Sequence, residues 1–327
     1  MQTLNVLLIG CGNIAGGFDA ARPQGAAPLT HAGAYREHGG FDLAACVEPN
    51  VSKREAFKAR WNIARGYADL AELDADTDTF DVVSICTPTH LHDAHLDVVR
   101  KLRPRLVFCE KPITPSLERT RHWVHHLALG GVLLAVNHNR RWAPDVVSLR
   151  DELKQGAWGT VRSITGHYNK GVLNNGSHLI DLIQFLLGPL ECMSAGTPVH
   201  DFWDNDPSIP ALLRCGSVSV QLCAGDFRDY ALFELDIIAS GGVISMRDGG
   251  ARWTVRKAID NPQFSGYRGL SEPAHLAGKY GESMRRAVAN IHAALCDGEP
   301  LASTGVTALA AQQVCDDICA ASQRART

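Results

Sequence analysis

Three polar side chains share one face of an apolar helix in the stretch VLNNGSHLIDL, residues 172–182. Asn174 and His178 are four residues apart and Asp181 follows three later, so on a helix they project to one side. The apolar run LIDLIQFLLG indicates that this helix is buried, and buried polar groups require hydrogen-bond partners or a ligand. Three interpretations are open: a metal site, a hydrogen-bonded core network, or one half of an active site.

The bulk composition is that of a globular protein. The chain has 327 residues, of which 45% are hydrophobic and 20% charged, with a formal net charge of −3, which suggests about two domains. The charge balance lacks the basic footprint of a nucleic-acid-binding protein, and no run of like charge suggests membrane binding. The N-terminal stretch reads as neither a signal peptide nor a membrane span. The ten scattered cysteines contain no C-x-x-C pair, which favours reduced thiols in a cytoplasmic protein.

A glycine-rich turn follows the first apolar run of the chain. The run LNVLLI reads as a buried parallel strand, and the GCGNIA that follows fits G-x-G-x-x-[GA]. The first glycine permits a tight turn, the second lets the backbone approach a pyrophosphate, and a small third residue admits close helix packing. The N-terminus of the helix expected next would offer its N–H groups to the phosphates. These residues are the predicted dinucleotide contacts: Gly10, Gly12, Asn13, Ile14 and Ala15.

A carboxylate follows the second predicted strand, FDLAACV. Glu48 at this strand end can accept hydrogen bonds from the ribose hydroxyls of the adenosine. It lies further downstream than the usual separation of about 20 residues, because a loop at 17–30 and a helix intervene. That insertion, which carries Arg22, is compatible with a lid. A carboxylate repels a 2′-phosphate, which favours NAD over NADP, although Lys53 and Arg54 follow closely.

Strands and helices alternate up to about residue 139. This alternation predicts a doubly wound parallel sheet, a Rossmann domain over residues 1–139. Later segments alternate in the strand pattern between Gly and Asp turns, and the last two apolar stretches read as helices. We therefore predict an α+β domain over 140–327 with a largely antiparallel open sheet. Helices packed on one face leave the other available to a partner subunit, which predicts a homodimer or homotetramer.

Three histidines, His90, His92 and His95, follow the predicted strand FDVVSICT. They lack a companion cysteine or carboxylate set at ligand spacing, so we predict no metal. Cofactor contact by His90 or His92 and a plain position at the start of a helix are both open.

The chain carries, in order, a series of motifs that resembles the glucose–fructose oxidoreductase / inositol dehydrogenase / MocA family. The resemblance covers nearly the whole chain, and EKP after the predicted fifth strand is its most specific element. It implies an NAD(P)-dependent oxidoreductase that transfers hydride between nicotinamide and a hydroxyl or keto carbon of a sugar, polyol or sugar nucleotide. The motifs are GCGNIA (10–15), VEPN (47–50), CTPTHLH (86–92), EKP (110–112), NRRW (139–142) and NNGSHLIDL (174–182).

The resemblance also assigns roles to individual residues. It implies that Lys111 and His178, from different domains, handle the hydroxyl proton; a surface salt bridge between Lys111 and Glu110 is the structural alternative. Members with the fullest polyol-dehydrogenase signature have Asp where Asn174 stands, and an amide can position a substrate but cannot hold a proton. Asp181 orients His178, binds substrate or has a structural role. The remaining predicted cofactor contacts are Thr87, Pro88, His90, His92, Glu110, Lys111, Asn139 and Arg140.

Two other functions are compatible with the same motifs. One is NAD-using glycoside hydrolysis, in which a sugar carbon is oxidised transiently to permit elimination. The other is a cofactor-sensing regulator that has lost catalysis. Retention of Lys111 and His178 argues against the regulator, whereas Asn174 leaves it open.

Overall fold

The computed structural model describes residues 3–23 and 25–324. The chain forms two compact units, Met1–Trp142 with Gly281–Leu309 and Ala143–Tyr280 with Ala310–Thr327. The sequence interpretation drew one boundary near residue 139 and gave everything after it to the second domain. The structure differs because a late segment returns to the first unit.

The first unit is built on a six-stranded parallel sheet with the strand order β3-β2-β1-β4-β5-β6. The order reverses direction between β1 and β4, which is the topological switch point of a doubly wound fold. This confirms the predicted Rossmann architecture. Its elements are β1 (Leu4–Ile9), α1 (His31–His38), β2 (Phe41–Val47), α2 (Val51–Trp61), β3 (Arg65–Tyr67), β4 (Val82–Ile85), α3 (His92–Leu102), β5 (Leu106–Cys109), α4 (Leu117–Leu129) and β6 (Leu133–Val136).

The apolar character of β1 follows from burial of both faces of this sheet. Leu4, Val6 and Leu8 enter the hydrophobic core on one face, and Leu7 and Ile9 enter the core on the other. Because successive side chains of a strand point to opposite faces, a strand covered on both sides is apolar on both. Asn5, near the start of β1, is exposed and is the polar exception.

The second unit carries a nine-stranded sheet along which β16, β15, β14, β13, β7, β12, β11 and β8 are successive neighbours, with β17 paired to β15. The pair of β12 and β7 is parallel and the other pairs are antiparallel, which confirms the largely antiparallel sheet. Its elements are α5 (Pro144–Lys154), β7 (Val161–Tyr168), α6 (Ser177–Leu187), β8 (Glu191–Ala195), β9 (Val199–Trp203), β10 (Asp206–Ser208), β11 (Ala211–Cys215), β12 (Val218–Ala224), β13 (Phe233–Ala239), β14 (Gly242–Arg247), β15 (Arg252–Asp260), β16 (Arg268–Leu270) and β17 (Ala274–Ala277).

One face of this sheet packs against α6 and the other stays open. Ile164 and Tyr168 on β7 join the buried core with Leu179 and Ile183 of α6. The alternate residues of β7 are only partly covered, as the two-residue period of a strand requires. The predicted one-sided packing is therefore observed in the second unit.

Two helices complete the chain, α7 (Ser283–Cys296) and α8 (Gly305–Arg324). The buried face of α7, which includes Met284, Val288 and Ile291, belongs to the same core as one face of β1. This burial explains why 281–309 returns to the first unit. Within the part of the chain that the structure describes, no helix is long and apolar enough to cross a membrane.

Candidate active site

The glycine turn lies at the carboxyl edge of the parallel sheet. Gly10 follows β1, donates its backbone N–H to the carbonyl of Val47 over 2.8 Å, and has a φ of +90°. A Cβ on Gly10 would lie 2.8 Å from Cγ2 of Thr87, so both conformation and space require glycine. A Cβ on Gly12 would meet nothing within 4 Å. The backbone of Gly12 is therefore open to a ligand that approaches closely.

The prediction of an α-helix directly after this turn is wrong. Residues from Asn13 to Gly16 form a single hydrogen-bonded turn, and a short 3₁₀ segment, Gly17–Asp19, follows. The glycine pair Gly16-Gly17 and the insertion account for the interruption, because glycine weakens a helix. Asp19 then holds the insertion, since its buried carboxylate accepts hydrogen bonds from Leu29 N and Thr30 N. The backbone N–H groups at this edge therefore belong to the turn itself rather than to the N-terminus of a long helix.

Glu48 lies beside the glycine turn. Its Oε2 accepts a hydrogen bond from the Cys11 backbone N–H over 3.2 Å, and its Oε1 accepts one from Asn50 N over 3.1 Å. These bonds fix the carboxylate at the rim of a cavity of about 610 Å³. The predicted Gly10, Gly12, Thr87 and Pro88 line the same cavity.

The lining of this cavity also includes Asp69 and His95, which sequence reasoning did not identify as site residues. Asp69 lies just after β3, a strand whose three residues, RGY, are too few and too polar for an apolar pattern to reveal. His95 hydrogen-bonds Thr87 Oγ1 through Nδ1 over 3.0 Å. Burial lowers the pKa of His95 and the nearby His92 lowers it further, against the opposing effect of Asp69. His95 is therefore a neutral cavity residue near pH 7.

Glu110 belongs to a buried network rather than to the cavity surface. Its Oε1 accepts a hydrogen bond from Asn137 Nδ2 over 2.7 Å and lies 3.0 Å from His31 Nε2. The other nitrogen of His31 lies 3.3 Å from Ser84 Oγ, which also bonds the hydroxyl of Tyr35. Burial alone would raise the pKa of Glu110, but the hydrogen bonds from His31 and Asn137 and the charge of Lys111 lower it below its usual value. Glu110 is thus an ionised anchor at the end of β5.

Lys111 follows Glu110 directly and is partly buried, and the Lys111–Pro112 peptide is cis. Because β5 is the neighbour of β4, Lys111 leaves the same edge of the sheet as the glycine turn and Thr87. His92, predicted as a cofactor contact or as a helix-start residue, is fully buried at the first position of α3. His90 lies exposed on the preceding 3₁₀ turn and is absent from the cavity lining.

The NRRW motif forms a 3₁₀ turn after β6. Arg140, Arg141 and Trp142 are buried, and the indole N–H of Trp142 donates to Asn290 Oδ1 over 2.9 Å. Asn139 is partly covered. The predicted cofactor contacts Asn139 and Arg140 therefore belong to a turn that joins β6 to the core of the first unit.

The second unit holds Asn174, His178 and Asp181 at the start of α6. Asn174 lies in a π-helical turn, Gly171–Gly176, and not in the regular α-helix that the spacing predicted. The carboxylate of Asp206 accepts hydrogen bonds from the backbone N–H groups of Leu173 and Asn174 over 2.8 and 2.9 Å. These two bonds hold the turn from outside the helix.

The three polar side chains differ in exposure. The Asn174 side chain donates to the carbonyl of Lys170 over 3.1 Å. His178 and Asn174 are partly covered, whereas Asp181, one turn on, is 1% exposed. Within residues 3–23 and 25–324 there is no group of three or more His, Cys, Asp and Glu side chains that could hold a metal. The arrangement offers hydrogen bonding and proton transfer.

Comparisons with known proteins give a family and a fold. Residues 4–138 match the family model GFO_IDH_MocA, described as an oxidoreductase family with an NAD-binding Rossmann fold. Among curated proteins, the chain is 29% identical over 171 residues to the uncharacterized oxidoreductase C115.03 of Schizosaccharomyces pombe, covering 45% of each chain. It is 30% identical over 137 residues to inositol 2-dehydrogenase of Rhizobium meliloti, covering 41% of this chain and 40% of that protein. The match thus spans less than half of each of these relatives.

Solved structures resemble the whole chain. One is an oxidoreductase from Agrobacterium radiobacter crystallised with NAD⁺, L-tartaric acid and magnesium. Its TM-score is 0.77 at 19% sequence identity, with 98% of this chain and 97% of that chain covered. At this identity the similarity shows the fold.

Proposed function

We propose that this chain belongs to the Gfo/Idh/MocA oxidoreductase family, whose model matches residues 4–138, and that it is an NAD-dependent dehydrogenase or reductase. Its substrate in this proposal is a sugar, polyol or sugar nucleotide that reacts at a hydroxyl or keto carbon. The observation that carries the proposal is the edge of the parallel sheet. There the glycine turn, Glu48 and Thr87 surround one cavity, and Lys111 leaves the neighbouring strand.

The residues at this edge fit a dinucleotide. The open backbone at Gly12 suits a pyrophosphate, and the carboxylate of Glu48, held by two backbone N–H groups, suits a ribose diol. A negative charge at this position disfavours the additional phosphate of NADP, so NAD is the proposed cofactor. The bound nicotinamide would supply the hydride acceptor or donor.

Lys111 carries the proton chemistry in this proposal. When a hydroxyl carbon gives up hydride, its O–H proton must also leave, and the Lys111 amine accepts it as the carbonyl forms. In the reverse direction the ammonium returns the proton to the carbonyl oxygen. His178 acts as the proton-relay partner of Lys111. Asn174 positions the substrate, and Asp181 orients the imidazole of His178.

A substrate screen tests the proposal. Sugars, polyols and sugar nucleotides are offered with NAD⁺ and with NADP⁺, and reduced nicotinamide is followed by its absorbance. We expect turnover with NAD⁺ and a fall in kcat of about 10²–10⁴-fold for Lys111→Ala, the usual contribution of a general acid–base group. Lys101→Ala is the matched control, because Lys101 lies exposed on α3 beside Asp97.

The screen separates the alternatives. A chain that retains tightly bound NAD and cleaves a glycoside without net cofactor turnover would be a hydrolase. If the substrate turnover of Lys111→Ala equals that of the unmodified chain, the proposed mechanism is wrong.

A further inference from the structure

His92 is a fully enclosed titratable side chain at the end of the sheet that forms the proposed site. It begins α3, yet none of its surface is exposed. Its Nε2 lies 2.8 Å from the carbonyl oxygen of Thr87, just after β4. Its Nδ1 lies 3.0 Å from the carbonyl oxygen of Pro112 and 3.2 Å from that of Ile113, just after β5. One ring therefore spans the chain segments that leave two neighbouring strands.

These contacts define what the ring does. Carbonyl oxygens only accept hydrogen bonds, and a neutral imidazole has a single N–H. The ring therefore holds the two strand ends together by N–H donation and by close contact with their carbonyl oxygens. The other groups that face it are Cys109, whose Sγ lies 3.9 Å from Nδ1, and His95 further along α3, whose pKa the His92 charge lowers. Full burial also keeps His92 out of direct contact with a cofactor in the cavity.

The connection extends further in both directions. Thr87 bonds His95 through its hydroxyl, and its methyl group occupies the space that a side chain on Gly10 would need. On the other side, Pro112 is joined to Lys111 by a single peptide bond. A continuous series of contacts thus runs from the glycine turn through Thr87 and His92 to the backbone of Lys111.

From this geometry we infer that His92 is a positioning residue for Lys111. Because its two nitrogens contact the carbonyl of Thr87 and the carbonyls of Pro112 and Ile113, it fixes the backbone of Lys111 relative to the residues that line the cofactor cavity. A lysine side chain is a flexible four-carbon stem, so its amine is directed reliably only if the backbone that carries it is fixed. This inference rests on the proposed function, in which Lys111 handles the substrate proton.

The test uses a readout at Lys111 that needs no substrate. The full-length protein is reductively methylated with ¹³C-formaldehyde, and the dimethyl-lysine signal of Lys111 is assigned by its loss in Lys111→Arg. We then compare two variants. His92→Gln keeps a donor group, the side-chain NH₂, whereas His92→Phe keeps an aromatic ring but has no donor. His125→Gln is the control, because His125 is exposed on α4.

We expect the Lys111 signal of His92→Gln to shift or broaden, whereas the other lysine signals and the Kd for NAD stay within threefold. His125→Gln should give the same spectrum as the methylated protein without substitutions. In the turnover assay, the kcat of His92→Gln should fall at least tenfold while its KM for NAD changes less than threefold. Circular dichroism checks that His92→Gln is folded. If the Lys111 signal of the folded, methylated variant is identical to that of the methylated protein without substitutions, the inference is wrong.

The two proposals fail separately. If the Lys111 signal responds to His92→Gln but Lys111→Ala retains full turnover, the positioning holds and the role of Lys111 in the reaction is wrong. If Lys111→Ala abolishes turnover but the Lys111 signal does not change in His92→Gln, the proposed function stands and His92 has only a packing role.

Discussion

At the scale of single residues, two glycines of the GCGNIA motif have different roles. Gly10 combines a φ of +90° with a missing Cβ beside Thr87, whereas Gly12 faces open space. The turn itself needs the first glycine, and the ligand needs the second. Substitution by alanine can therefore separate folding from binding.

We expect Gly12→Ala to keep the melting temperature of the unmodified chain and to raise the Kd for NAD at least tenfold, because the added methyl group occupies the approach to the pyrophosphate. Gly10→Ala should instead lower the free energy of unfolding by about 1–3 kcal/mol through backbone strain. Thermal melts and calorimetric titration with NAD measure both quantities. Equal effects of the two substitutions on stability would contradict this division.

Glu48 provides the residue-scale test of cofactor choice. Glu48→Ala removes the carboxylate that two backbone N–H groups hold beside the glycine turn. We expect KM for NAD⁺ to rise and the preference for NAD⁺ over NADP⁺ to narrow, since repulsion of the 2′-phosphate is lost. Initial rates with both cofactors measure the ratio, and an unchanged ratio would show that Glu48 does not select the cofactor.

The lowered pKa of Glu110 makes a prediction about acid stability. Although burial opposes ionisation, His31 and Asn137 hold the folded-state pKa below the unfolded value. Its contribution to stability is present above the unfolded pKa and is lost as pH falls through the folded pKa. Glu110→Gln should lower the free energy of unfolding at pH 7 by about 1–3 kcal/mol and flatten its decline in acid. Urea unfolding from pH 7 to pH 3 measures this.

Glu118→Gln is the matched control for that measurement, because Glu118 lies exposed on α4. A Glu110→Gln variant whose stability follows the same acid profile as the control would show that the buried network does not hold the charge.

At the scale of elements, the hairpin of β9 and β10 holds the turn that carries Asn174. Asp206 is the acceptor for the backbone N–H groups of Leu173 and Asn174. Asp206→Ala should lower kcat by about tenfold or more and lower the melting temperature, because the π-helical turn loses its outside acceptor. Asp204→Ala, exposed on the same hairpin, is the control. Unchanged kcat for Asp206→Ala would mean that this turn contributes nothing to catalysis.

Sequence patterns predicted some elements well and others poorly, for physical reasons. The family resemblance and the Rossmann sheet are confirmed, because strands buried on both faces leave continuous apolar runs such as LNVLLI. The strand β3 was missed because it is short and polar. The π-helical turn and the enclosed His92 were missed because each depends on acceptors that are distant in sequence, Asp206 and the Pro112–Ile113 carbonyls.

At the scale of the whole molecule, the open face of the second unit's sheet supports the expectation of a homodimer or homotetramer. Thr165 lies on this face in the middle of β7, between Gln221 of β12 and Asp236 of β13. Sedimentation equilibrium should give a multiple of the 35.4 kDa chain mass. Thr165→Lys should reduce that mass, because a long charged side chain at the centre of the open face opposes association. A monomer at all concentrations would contradict the expectation.

We propose that Lys111 and His178 serve the same proton, and a double-mutant cycle on kcat tests this central proposal most directly. Lys111→Ala, His178→Asn and the double variant are assayed with saturating NAD⁺ and substrate, with exposed His200→Asn as control. Residues that act as a unit give strongly non-additive losses. We expect the double variant to be scarcely slower than Lys111→Ala alone. If the two single losses multiply in the double variant, the residues act independently and the proton pathway proposed here is wrong.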